Sequence, residues 1–227
     1  MPGGKRTDRV SGRDLQVLGL VARFGMIPRQ VVALWAGTGR AVTLARERRL
    51  REACLLEVLP GVGDSGRLLL CTREGLRALS RDDLPVPRFS AGRVAHSAAA
   101  ARVAVELERR GRQLLSEPEI FARERAQGER VFSAQDRPGH FHRPDLIILG
   151  DRIEAIEVEL TTKGASRLDA LLRNWRGAML QRKVGGVRYL CSPQALPYVR
   201  RAVERTRTGE LIVVEGLRDQ STTARRT

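Results

Sequence analysis

Two short apolar runs, Leu146-Ile-Ile-Leu149 and Ile153 to Val158, flank a Gly150-Asp151-Arg152 turn, and acids gather at one end of the pair. Runs of this length around a Gly-Asp turn predict an antiparallel hairpin. A turn over Gly150 to Arg152 sets residue 149 opposite 153 and residue 145 opposite 157. Glu157 and Glu159 then share a face, because side chains alternate along a strand. Asp145, Glu157 and Glu159 are expected to converge. Carboxylates that converge repel one another unless a cation or a proton lies among them. The pattern points to a divalent metal site.

The rest of the chain is basic. It carries 41 Lys and Arg against 26 Asp and Glu, a formal net charge of +15. Phosphates reward such a surface through counterion release, so double-stranded DNA is the expected partner. The excess is present in both halves: 16 basic and 9 acidic residues over 1–90, 25 and 17 over 91–227. Only Lys5, Lys163 and Lys183 are lysines. Genome composition also drives an arginine bias, so surface arginine by itself proves little.

Other classes recede. Aromatics are 4% of the chain, so stacking platforms for single strands are scarce. No apolar run approaches the roughly 20 residues of a membrane helix, so no membrane partner is expected. Met-Pro-Gly-Gly-Lys-Arg lacks the apolar centre of a secretion signal, which leads to the expectation of a cytoplasmic protein. Cys54, Cys71 and Cys191 are far apart, lack metal-ligand spacing and sit in apolar contexts. They are read as small buried side chains, and zinc is not expected.

After a basic tail (1–10), Ser11 is positioned to cap a helix to about Phe24, with Leu15, Leu18, Val21 and Ala22 inward and Gly25 ending it. Pro28 suits the start of a short helix through Trp35. Gly37-Thr38-Gly39 turns the chain into a third helix from Arg40 to about Ala53. Val42, Ala45 and Leu50 are assigned to its inner side, and Arg40, Thr43, Arg46 and Glu47 to its outer side. Leu55–Leu59 and Arg67–Cys71 predict a hairpin with a Gly-rich tip. Three helices and a hairpin are the order of a winged helix-turn-helix over 11–80. Leu50-Arg-Glu-Ala-Cys54-Leu-Leu resembles the end of its recognition helix, Leu-x-x-x-Gly-Leu-Leu, with Cys54 for the glycine. Thr72-Arg-Glu-Gly75-Leu looks like the segment after the wing. Arg40, Thr43 and Arg46 would enter the major groove and Arg67 would meet phosphate.

Arg81-Asp-Asp-Leu-Pro-Val-Pro87 is the expected linker (81–90). A helix follows from Ala91 to about Arg110, with His96, Ala99, Val103 and Leu107 at helical spacing; such a stripe caps its own domain or forms a homodimer seam. Next come a strand at Gln113, a helix start at Ser116-Glu117-Pro118-Glu119 and a polar loop over 124–141. Beyond the acidic hairpin the pattern predicts helix 165–181 with Leu168, Leu171, Leu172, Trp175 and Met179 inward. Strand 187–190, helix 193–205, strand 211–214 and a disordered tail (217–227) complete it. This is an α/β order with a central mixed sheet flanked by helices over 91–216.

Pro144-Asp145 followed by Glu157-x-Glu159 resembles the PD-(D/E)xK nuclease superfamily, in which paired strands hold Mg²⁺ or Mn²⁺. An acid on the preceding helix often joins them, and Glu117 or Glu119 matches that place. A winged helix, a helix near His96 and this hairpin together look like the replication-relaxation family of plasmids and mobile elements. The resemblance covers most of 11–215. It implies metal at Asp145, Glu157 and Glu117, and catalysis by Asp145, Glu157, Glu159 and a lysine. The superfamily lysine is Glu159 here, which cannot donate a hydrogen bond when ionised. Lys163 has the same strand parity and is the substitute candidate, with His140 and His142 as further bases or ligands. The two leading expectations are a metal-dependent endonuclease and a non-catalytic DNA-binding protein. The second would serve replication, transfer or repression, alongside other replication or transfer proteins. A third is a dimeric regulator whose acidic pocket senses a ligand.

Overall fold

Ser11 starts the first helix as its spacing implies. Its hydroxyl accepts from the Asp14 amide (3.2 Å), and Asp14 accepts from the Ser11 amide (2.9 Å), closing a capping box. The computed structural model describes residues 10–63, 66–137, 139–162 and 164–217. Almost all of both expected tails lies outside the described residues, as does Lys163. The chain is mixed α/β and divides into two compact units, Met1–Gly128 and Glu129–Thr227.

The first unit runs α1 (Gly12–Phe24), β1 (Met26–Pro28), α2 (Arg29–Ala36), α3 (Arg40–Glu52), β2 (Leu56–Leu59), β3 (Leu68–Cys71), α4 (Arg73–Ala78), a 3-10 turn at Ala91–Arg93, α5 (Val94–Arg109), β4 (Gln113–Ser116) and α6 (Glu117–Gln127). A three-stranded antiparallel sheet takes the order β1-β3-β2, with Met26 opposite Leu70 and Leu56 opposite Cys71. The short β1 escapes sequence reading because it is three residues long and ends in Pro28. An edge position tolerates that proline, which has no N–H to give.

Val17, Leu18, Val21, Ile27, Val31, Leu50, Leu56, Leu69 and Leu76 form the core of this unit. Leu84 and, from α5, Ala101 and Val105 belong to the same core. The 81–90 segment therefore lies within the first unit, and α5 buries Ala101 and Val105 in that core. Gly75 lets α4 approach this core: a Cβ at that position would collide with the Leu55 carbonyl oxygen and Cys71 Sγ.

The second unit runs β5 (Ala134–Arg137), β6 (His140–His142), β7 (Leu146–Leu149), β8 (Glu154–Glu159), α7 (Ala165–Leu180), β9 (Gly186–Cys191), α8 (Leu196–Thr206) and β10 (Ile212–Gly216). The 124–141 region is not a loop. α6 extends to Gln127, and β5 pairs with β6 across a turn that holds Gly139 at φ 75°. Phe132, Ser133 and Ala134 are buried, and these few positions anchor a segment that is otherwise polar.

Strands β10, β9, β8 and β7 lie side by side in that order. β7 and β8 are antiparallel; β8, β9 and β10 are parallel, joined by α7 and α8. Leu146 lies opposite Ile156 and Ile148 opposite Glu154, the register that the Gly150 turn implies. α7 buries Leu168, Leu171, Leu172, Trp175 and Ala178. Among the described residues no helix is long and apolar enough to cross a membrane.

Candidate functional site

The β7–β8 register carries Asp145 to a place opposite Glu157. β7 ends there, and the Asp145 side chain continues the pairing: its Oδ2 accepts the Val158 amide at 2.7 Å. This carboxylate closes the end of the hairpin where Pro144 interrupts the strand.

Glu157 is 3% exposed and Glu159 5%, so both are deep in the unit. One oxygen of Glu157 has two partners. Its Oε1 accepts the Trp175 indole N–H at 3.0 Å and lies 2.7 Å from His142 Nε2. The His142 ring meets Trp175 edge-on, with centroids 6.0 Å apart and planes at 78°. α7 fixes this arrangement because Trp175 is fully buried in the helix's apolar stripe.

Tyr189 lies opposite Glu157 on β9 and is also fully buried. Burial, then the charges of Glu157 and Glu159 and of Cys191, push its phenol well above the ordinary 10. The phenol stays protonated, and its O–H has no acceptor among the described residues.

Sequence reasoning named Asp145, Glu157, Glu159 and His142. It placed Trp175 in the core but missed it as a hydrogen-bond donor, and it missed Tyr189. A buried tryptophan on the helix directly after β8 is the signal that could have found the first, because its N–H needs an acceptor.

The acids expected from α6 are engaged within the first unit. Glu117 pairs with Arg93 at 2.6 Å. Glu119 takes the Ser116 amide and hydroxyl, both at 2.9 Å, and Arg23 at 3.0 Å. Among the described residues no three His, Cys, Asp or Glu side chains converge as metal ligands. Mg²⁺ demands several oxygens in near-octahedral geometry. Glu157 Oε1, between an indole N–H and an imidazole nitrogen, and Asp145 Oδ2, on a backbone N–H, are each already engaged within the protein.

In the first unit, α3 presents a different face from the one its apolar residues suggest. Thr43 is 2% exposed and Glu47 7%, whereas Val42 is 44% exposed. Thr43, expected to face outward, instead bonds the Gly39 carbonyl at 3.3 Å. Two ion pairs cause the rotation. Arg29 on α2 grips Glu47 through both nitrogens, at 2.5 and 2.8 Å. Arg49 on α3 grips the fully buried Asp14 of α1 at 2.8 and 2.9 Å. These pairs draw positions 43, 47 and 50 inward and leave Ala41, Arg48 and Glu52 exposed, with Arg40 and Arg51 exposed on one flank. Arg46 is half-buried and reaches the Arg13 carbonyl at 3.4 Å. Arg67, beside the hairpin tip, is exposed. Arg48 and Arg51 were not among the expected contacts; the Ala41, Ala45, Arg48 spacing was the legible sign of this outer stripe.

Cys54 is exposed, and Cys71 and Cys191 are buried. Burial pushes the Cys71 thiol up to about 12, which keeps it unreactive. The expectation of three buried cysteines fails at Cys54, because the turn after α3 points it outward. No protein-family model matches the chain, and no curated protein is similar to it.

Proposed function

We propose that this protein binds double-stranded DNA with α3 and the β2–β3 tip, as a winged helix-turn-helix, and that its second unit is nuclease-like in plan but not a metal-dependent nuclease. The observation that carries the binding half is α3. It is locked from behind by Arg29–Glu47 and Asp14–Arg49, and it turns Arg40, Arg48 and Arg51 outward. A rigid helix that offers cations on one side suits the major groove and its flanking phosphates. Three helices and a β2–β3 hairpin that pairs with the short β1 support the same reading, with Arg67 at the wing. The non-catalytic half rests on Glu157, whose Oε1 is held by His142 and Trp175. With Glu159 in the place of the superfamily's lysine, the second unit reads as a scaffold derived from that plan. The setting this implies is an accessory DNA-binding role in replication or mobilisation of a plasmid or mobile element, or transcriptional repression.

A mobility shift on duplex DNA tests the binding half. Arg48→Ala/Arg51→Ala is expected to weaken binding at least tenfold, and unchanged binding would refute it. Incubation of supercoiled plasmid with Mg²⁺ or Mn²⁺ tests the other half. Intact plasmid is expected, and nicking that disappears in Asp145→Ala would overturn it.

A further inference from the structure

The second unit carries a basic ridge that the duplex-binding reading does not use. On α8, Val199, Ala202, Val203 and Thr206 are buried. This leaves Tyr198, Arg201 and Arg205 at i, i+3 and i+7 along the outer side. On α7, Asp169, Arg173 and Arg176 stand at i, i+4 and i+7, the spacing of one helix side. The two stripes are joined where Arg205 grips Asp169 through both nitrogens, at 2.8 and 2.5 Å. Arg205 and Arg173 both act on the Asp169 carboxyl, so Arg173 stands at the junction.

The charges along this ridge are unbalanced. α7 and α8 hold six arginines and two acids, and one of those acids, Asp169, is matched by Arg205. Among the described residues, Arg173, Arg176 and Arg201 have no carboxylate within ion-pair distance. The strands of the same unit behave differently: Arg188 on β9 is matched by Glu154 at 2.9 Å and Glu215 at 3.5 Å. Unmatched cations are therefore not a property of every arginine in the unit.

Tyr198 stands in this row and is 53% exposed, in a chain with only two tyrosines. A half-exposed ring gains little from water, but it gains a stacking surface if an unpaired base lies on it. A duplex keeps its base faces covered, and a single strand does not.

We propose that the α7–α8 ridge binds single-stranded DNA, with Arg173, Arg176 and Arg201 along the phosphates and Tyr198 stacked on a base. The site is separate from α3 and does not depend on it. Backbone charge supplies affinity without sequence preference, and the aromatic face selects for unpaired bases. The protein would then hold a duplex at one unit and a melted or nicked strand at the other.

The experiment compares full-length wild type with Tyr198→Ala/Arg201→Ala on a fluorescein-labelled oligothymidine and on a blunt duplex, by anisotropy. Because both side chains are exposed, the fold is expected to survive, and circular dichroism verifies it. The variant is expected to bind the single strand about tenfold more weakly, with duplex affinity within twofold of wild type. Tyr198→Phe, which keeps the ring, is expected to retain wild-type binding. Arg48→Ala/Arg51→Ala should show the opposite pattern, which separates this proposal from the duplex reading. Single-strand binding that is unchanged in Tyr198→Ala/Arg201→Ala, or lost equally in Tyr198→Phe, would overturn it.

Discussion

Cys54 shows how one residue can keep a backbone shape without the side chain that suits it. It holds φ at 62°, and the turn around it is a Schellman motif: the Leu55 amide reaches the Leu50 carbonyl and the Cys54 amide the Arg51 carbonyl, each at 2.9 Å. Glycine is the residue for this position, and a Cβ there costs roughly 1–2 kcal/mol. Cys54→Gly gains flexibility in the unfolded chain but loses that strain, so it should stabilise the protein by about 0.5–1 kcal/mol in urea denaturation. The substitution of Cys for Gly was visible in the sequence; that the turn forms regardless was not. Glu157 is a second case. Trp175→Phe removes a donor from a buried carboxylate and should destabilise by about 1–3 kcal/mol, whereas Glu157→Gln, which still accepts from both rings, should cost less than Glu157→Ala. Equal losses for Gln and Ala would show that the acceptor oxygen is not what matters there.

At the scale of elements, the order of helices and strands was largely legible because each period is local: the α1 stripe, the β7–β8 register and the α7 face all follow from spacing. What failed was the phase of α3. Its few apolar residues point to Val42 and Ala45 as the inner side, but two ion pairs outweigh them, and partners 18 and 35 residues away leave no local trace. The same holds for the acidic site, where His142 and Trp175 come from separate elements. Asp14 gives the α3 anchor a testable pH dependence. Burial alone would raise its carboxyl, but hydrogen bonds from Arg49 and Ser11 outweigh burial and hold it below the ordinary 3.8. A depressed folded value means that the stabilisation is complete above about pH 4. It is lost as pH falls through that lower folded value. Asp14→Asn should therefore destabilise by about 2–3 kcal/mol at pH 7, less than a fully enclosed pair because Arg49 is one-third exposed. The gap from wild type should narrow below pH 3, as read from urea midpoints at the two pH values. A gap that stays constant would mean that the Asp14 charge does not anchor α3.

For the whole molecule, a net charge of +15 predicts that binding to any polyanion weakens with salt, so affinity alone is a weak test of where DNA sits. The charge is not evenly useful, however. Arg29 and Arg49 are committed to holding α3 in place, and Arg188 and Arg205 tie elements of the second unit together. Arg40, Arg48 and Arg51 on α3, Arg67 beside the hairpin tip, and Arg173, Arg176 and Arg201 on α7 and α8 are among the arginines that have no such role. Composition raises the expectation of a polyanion partner; only the fold separates cations that hold elements together from those left at the surface. The most direct measurement is duplex affinity against salt, between 50 and 200 mM, for wild type and Arg48→Ala/Arg51→Ala. If α3 lies against the duplex, the slope of log affinity on log salt should fall by about 2, one unit per lost phosphate contact. A variant with the wild-type slope and affinity would contradict the assignment of α3 as the DNA-binding helix.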